Sequence, residues 1–198
     1  DALKIRARIL TAFESAESCA DALEAQHYLT FVIVGAGPTG VELAGTLAEI
    51  ARHTLQNEFR RIDPTHARVI LVEAGPRVLP AFPEALSASA QRQLEQLGVI
   101  VRTGAPITHV DGSGVKIGAE WMPARTVLWA AGVTASPLAR TLGVPLDRSG
   151  RVTVQPDLSI PGHPEVLVAG DLASCSTSSG PVPGIAPAAK QMGRHVAR

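Results

Sequence analysis

Apolar residues recur at helical spacing from the start of the chain. Ile5, Ile9, Ala12, Phe13, Ala16, Ala20 and Leu23 predict one amphipathic helix over residues 2 to about 25, with Cys19 on its apolar side. The period then changes. Leu29 to Val34 is a continuous apolar run ending at Gly35, the pattern of a strand buried on both faces. Pro38 suits the first turn of a helix, and Val41, Ala44, Ala48, Ala51 and Leu55 form its buried stripe. Arg68 to Glu73 (RVILVE) predicts a second buried strand. Residues 84 to 97 predict a helix with Leu86, Ala90, Leu94 and Leu97 on its inner face, ended by Gly98.

Val99 to Arg102 reads as a third strand. Short alternating pieces around Asp111-Gly112-Ser113-Gly114 and Gly118-Ala119 predict a small antiparallel meander, and Val127 to Ala130 returns to the buried type. The order β-α-β-α-β, meander, β implies an α/β fold, Rossmann-like, whose parallel sheet carries helices on at least one face. After Gly143 the character shifts. Arg151 to Val154 and Val166 to Ala169 predict two more strands, followed by a Ser/Gly/Pro-rich stretch and a closing helix.

The chain has 198 residues, 45% hydrophobic and 18% charged, with a formal net charge of zero. Charge balance and scattered basic residues give no reason to expect a nucleic-acid partner. Cys19 and Cys175 lie far apart and form no CxxC, so a dithiol redox centre is not expected. The six histidines show no metal-ligand spacing, so no metal is expected either. No stretch resembles a signal peptide or a membrane span; the most apolar run, 126–139, is broken by Gly132 and Pro137. The abrupt helical start and end suggest a fragment.

Gly35-Ala-Gly37-Pro38-Thr39-Gly40 fits GxGxxG with a strand before it and a helix after it. Gly35 permits the tight turn, and Gly37 leaves room for a pyrophosphate on the helix N-terminus. Gly40 lets helix and strand pack closely. Glu73 closes the second strand, where a carboxylate accepts from ribose hydroxyls and repels a 2′-phosphate. NAD is therefore favoured over NADP, with nearby Arg77 as the opposing signal. Glu73 lies further from the glycines than in a minimal unit, an excess that 53–67 accounts for as helix extension and loop. A solvated strand-end Glu is the alternative.

GAGPTGVELAGTLAE, VILVEAGPRVLP, the VLWAAGV strand-turn and the late VLVAGD together resemble type II NADH dehydrogenase. This is the single-chain NADH:quinone oxidoreductase among flavoproteins with two dinucleotide-binding domains. The resemblance covers nearly the whole chain. It implies that this GxGxxG is the family's second fingerprint, the one for NADH, while the fingerprint for FAD lies upstream. Residues 1–28 would then be a connecting helix, 29–143 the NADH-binding Rossmann domain, and 144–198 the C-terminal part of an incomplete FAD domain.

By the same resemblance Ala131 and Gly132 bind cofactor, and Asp171 accepts from the ribityl chain of FAD; a helix-capping Asp is the bland reading. Glu42 lies where nicotinamide and flavin stack, although an acid early in a helix is also explained by the helix dipole. Ala186-Pro-Ala-Ala-Lys-Gln191 matches the family's quinone-proximal helix, AQxxxQ in some members. Pro187 stands where the first Gln would be, so only Gln191 carries over, against the alternative of a solvated Gln.

The implied parent oxidises NADH by hydride transfer to FAD and passes electrons to a quinone. It would be cytoplasmic and peripheral on the inner face of the cell membrane, with a homodimer left open. The fragment alone is expected to be inactive. The rivals are the nucleotide-binding half of a ferredoxin reductase-like enzyme and a non-catalytic NAD-binding module. The missing cysteine pair disfavours disulfide and sulfide:quinone reductases.

Overall fold

Four parallel strands make the sheet that positions the site, in the order β3-β2-β1-β7. They are β1 (Thr30–Val34), β2 (Arg68–Val72), β3 (Ile100–Arg102) and β7 (Thr126–Trp129). The computed structural model describes residues 2–132, 134–178 and 180–197. β1 is buried along its whole length because both faces are covered. Phe31 and Ile33 point into one core with Val69, Leu71 and Leu128; Val32 and Val34 point into another with Ile70 and Val72.

Helices cover the first face. α1 (Ala2–Ser18) contributes Ile9, Ala12, Phe13 and Ala16, and α3 (Pro38–Glu49) contributes Ala44, Leu47 and Ala48. Phe13 packs against Phe31 with the rings tilted and their centroids 5.3 Å apart. Beyond Glu49, α3 loosens into one wide π-type turn, Ile50–Thr54, which still buries Ala51. The meander β4 (Ile107–Val110), β5 (Gly114–Ile117) and β6 (Glu120–Pro123) covers the opposite face with Val115, Ile117 and Met122. The α/β architecture anticipated from the sequence is therefore a three-layer one, with helices on one face and the meander on the other.

The single helix expected over residues 2 to 25 is two. α1 stops at Ser18, and α2 (Ala22–Tyr28) starts afresh after Asp21, whose Oδ1 accepts from the N–H groups of Leu23 (2.8 Å) and Glu24 (3.3 Å). A side chain that caps a new N-terminus competes with helix continuation. Leu23 is consequently 68% exposed, and Cys19 sits half-buried in the break instead of in the core. α4 (Glu84–Gln96) shows a second correction. Leu86 points outward and Ser87 inward, because the Ser87 hydroxyl donates to the buried Val78 carbonyl at 2.6 Å. Ala90, Leu94 and Leu97 pack on the core as expected, and Ser87 takes the place of Leu86 at the start of that face.

The chain divides into two compact units, Asp1–Gly132 and Val133–Arg198. Ala139, in the 3₁₀ turn Pro137–Leu142, is fully buried in the core of the second unit. That unit holds β8 (Val152–Thr153) parallel to β11 (Ala173–Ser174), and β9 (Ser159–Ile160) antiparallel to β10 (His163–Leu167). A small hairpin, β12 (Ser176–Thr177) and β13 (Gly180–Pro181), precedes α5 (Ala186–Val196). Pro187 occupies the first turn of α5, where its missing N–H costs nothing.

Asp147 ties the second unit's entry turn. Its Oδ1 accepts from the N–H groups of Ser149 (2.8 Å) and Arg151 (2.9 Å), and its Oδ2 from Arg151 Nε (2.7 Å). These bonds, the Arg151 amide first among them, hold the carboxyl at about 2, below its ordinary 3.8. A depressed carboxylate stabilises the fold above its unfolded pKa, and that contribution is lost as pH falls from 3.8 through about 2. Asp147→Asn is expected to cost about 1–3 kcal/mol at neutral pH. Thermal melts of both proteins should differ at neutral pH and converge toward pH 2. A gap that persists unchanged at acid pH would exclude the charge as the cause.

Candidate functional site

β1 enters the glycine turn at Gly35, whose φ of +97° is a conformation that L side chains rarely adopt. The turn is backed by Ala131: a Cβ on Gly35 would meet its N, Cα and Cβ atoms at 2.8 Å. Five residues later a Cβ on Gly40 would overlap the Gly35 carbonyl oxygen, so helix and strand touch there. Gly37 is different in kind. A Cβ placed on it meets nothing within 4 Å. Gly37 also caps α3 without any side-chain hydrogen bond, which leaves the first amides of the helix for a ligand. Pro38 and Thr39 are exposed beside it.

Glu73 follows directly on β2. Its Oε2 accepts from the Ala36 N–H inside the glycine turn, at 2.8 Å, and its Oε1 from the Gly75 N–H, also at 2.8 Å. An ionised carboxylate offers about four acceptor sites, so two remain, enough for the two hydroxyls of a ribose. Arg77, the residue that could have welcomed a 2′-phosphate, is committed elsewhere. Its guanidinium donates to the carbonyls of Phe82 and Pro80, both at 2.8 Å. The pattern of free acceptor and occupied cation suits an unphosphorylated ribose.

Gly35, Glu73 and Ala131 meet at one cleft of about 210 Å³ at the C-terminal ends of β1, β2 and β7. Pro106, from the link into the meander, and Trp129 complete its apolar wall. Trp129 was expected within a buried strand; it is 64% exposed, at the last position of β7. A large aromatic placed immediately before the Ala-Ala-Gly turn was the one sequence signal available for it. Gly132 continues the turn with φ +71° and open space around it. Glu42 lies exposed on α3, one turn beyond Thr39.

Asp171 and Gln191 belong to the second unit. Asp171 sits in the tight turn Gly170–Leu172 after β10, and its carboxylate has no hydrogen-bond partner among the described residues. It is therefore a free acceptor for ligand hydroxyls, which fits the role a flavin's ribityl chain would ask of it. Gln191 is exposed on α5 and lines a groove of about 610 Å³ with Leu158, Val182, Ile185 and His195. Largely apolar walls with a few polar groups, the Gln191 amide and the His195 imidazole among them, suit a flat, mostly apolar molecule.

The family model for pyridine nucleotide-disulphide oxidoreductases matches residues 4–193. The chain belongs to that family. The type II NADH:quinone oxidoreductase Ndh of Mycobacterium tuberculosis is 48% identical over 206 residues, covering 100% of this chain and 44% of that protein. The type II NADH:quinone oxidoreductase of Staphylococcus haemolyticus is 36% identical, over 86% of this chain and 43% of its own length. The chain thus spans less than half the length of these relatives. Among solved structures, NDH2 from Plasmodium falciparum in complex with NADH shares the fold with a TM-score of 0.73 at 22% identity, over 87% of this chain and 38% of that one.

Proposed function

We propose that the chain is the NADH-binding part, with a contributing piece of the flavin-binding part, of a type II NADH:quinone oxidoreductase. The observation that carries this reading is the pairing of an open Gly37 with Glu73, a carboxylate two of whose acceptor sites are free. The activity of the relatives, NADH:quinone oxidoreductases, supplies the electron acceptor. In this reading residues 29 to about 132 hold NADH, with 1–28 packed beneath them. The second unit presents Asp171 to FAD and Gln191 to the quinone.

Each residue has a definable task. The first amides of α3 receive the pyrophosphate, and Gly37 keeps their approach clear. Glu73 accepts the adenosine ribose hydroxyls and, as an anion, repels a phosphate in their place. Gly132 leaves bare backbone at the turn after β7, and Glu42 provides a carboxylate that can take up or release a proton as the flavin cycles. FAD, when bound, supplies the redox chemistry itself. Gln191 can donate from its amide to a quinone carbonyl. Because a quinone is lipid-soluble, this reading has the full-length protein meet the cell membrane peripherally, and the NADH it oxidises puts it on the cytoplasmic face. Among the described residues no helix is long and apolar enough to cross one.

Single-turnover kinetics on the full-length enzyme test this reading. In Gln191→Leu, flavin reduction by NADH should be unchanged and reoxidation by quinone slowed about threefold to tenfold, the loss of one hydrogen bond. In Glu42→Gln, turnover should fall more than NADH affinity. Wild-type rates in both halves for Gln191→Leu would count against the quinone role and favour a protein acceptor, as in the ferredoxin reductase alternative.

A further inference from the structure

A second cleft, of about 290 Å³, opens at the other end of the sheet, between α1, Tyr28 and the start of β7. Thr126 begins β7, and Thr30 begins β1, so this cleft lies at the N-terminal ends of the strands. The glycine turn is a five-residue strand away, roughly 17 Å. A nucleotide's own phosphates at the turn would not reach it.

The two guanidinium groups here are in different states. Arg125 is fixed and neutralised: Nε and Nη2 donate to Glu24 Oε1 at 2.9 and 2.6 Å, and Nη1 to the Gly112 carbonyl at 2.9 Å. Arg8 gives one N–H to the Arg125 carbonyl at 3.2 Å and pairs with no carboxylate among the described residues. The rest of its fork is free, and a free guanidinium fork matches an oxyanion. Thr11 and Ser15 line the same cleft from α1, three and seven residues after Arg8, hence on one helical face.

Thr126 adds an independent sign. It lines the cleft and is 1% exposed, yet its Oγ1 is the single buried side-chain polar atom among the described residues without a hydrogen-bond partner. Buried hydroxyls are almost always partnered, so this one calls for a water or a ligand oxygen. An unpaired guanidinium, hydroxyls on α1 and an unsatisfied hydroxyl at the strand start ask for acceptor oxygens in several directions. A planar carboxylate offers its acceptor sites in one plane only. A tetrahedral phosphate answers them all.

We propose that this cleft is a binding site for a small phosphate monoester, separate from the nucleotide site. Its volume, just below the usual range for ligand pockets, limits the ligand to a few carbons. Nothing in this depends on which electron acceptor the full-length enzyme uses.

The test is an amide NMR titration of the 198-residue chain with inorganic phosphate and, separately, glycerol 3-phosphate, each with and without saturating NADH. Expected are saturable shifts at Ser15, Gly112, Arg125 and Thr126, at ligand concentrations of about 1 mM and unaffected by NADH. Glycerol 3-phosphate should bind the tighter of the two. Arg8→Ala should weaken binding about tenfold, with Arg8→Lys intermediate, because a point charge replaces a fork. Thr126→Val, close in shape and fold-preserving, should weaken it about threefold to tenfold. Shifts confined to Thr39 and Gly40, shifts without saturation, or equal affinity in Arg8→Ala would each overturn the proposal. Glycerol 3-phosphate binding no tighter than phosphate would overturn its assignment to an ester.

Discussion

Gly37→Val is expected to leave folding intact and to abolish measurable NADH binding. The two halves of that expectation come from one observation: a Cβ on Gly37 has no neighbour within 4 Å in the folded chain. Nothing inside the protein resists the larger side chain, so the melting temperature should stay within about 2 °C of wild type. The empty space is the room a pyrophosphate needs against the α3 amides. Filling it with a branched side chain should cost more than about 3 kcal/mol, at least two decades in affinity. Gly40→Ala makes the informative contrast. Its Cβ would collide with the Gly35 carbonyl oxygen, so stability should drop by about 1–3 kcal/mol before any ligand is added. Calorimetric titration with NADH, beside thermal melts of both variants, checks the pair. Normal NADH affinity in a well-folded Gly37→Val protein would remove the glycine turn from the binding site.

The second large effect is expected at Glu73, where selectivity and loop geometry share one carboxylate. Glu73→Ala leaves the Ala36 N–H, in a residue with 0% exposure, without a partner, which should cost about 1–3 kcal/mol of stability. It also removes both remaining acceptor sites for the ribose. NADH affinity should fall by about two decades, since hydrogen bonds to a charged group are worth about 1.5–3 kcal/mol each. Preference for NADH over NADPH should disappear, because Arg77 remains held by the carbonyls of Pro80 and Phe82 and gives NADPH no advantage. Glu73→Gln keeps an acceptor for one backbone N–H and should recover part of the stability while still losing selectivity. NADPH binding to the wild-type protein as tightly as NADH would sink the ribose assignment. Selectivity retained in Glu73→Ala would move it to another residue.

Much of this was legible along the chain. The unbroken apolar run 29–34 required a strand covered on both faces, because alternation appears only where one face meets water. The spacing of Gly35, Gly37 and Gly40 between a strand and a helix required a close-packed turn, since each position asks for a missing side chain. The acid closing β2, and the meander with its Asp-Gly and Gly turns, were equally readable from local chemistry. What such patterns encode is the demand of each residue for burial or for a special backbone angle.

They do not encode which partner meets the demand. Ala20 and Leu23 satisfy the helical period, yet Asp21 ends that helix, because a cap three residues away outweighs two apolar contacts there. Leu86 and Ser87 exchanged places because the Val78 carbonyl, nine positions back, needed a donor in the core. Arg77 could have served a phosphate until the loop folded its own carbonyls onto the guanidinium. Glu73 reads in sequence as a ribose acceptor alone; only the folded chain brings the Ala36 N–H, 37 residues away, within 2.8 Å of it. Local chemistry along the chain sets the kind of turn and the charge beside it. Tertiary structure decided which of those polar groups stay free for a ligand, because hydrogen bonds are settled between atoms that meet in space and not by residues that adjoin in order.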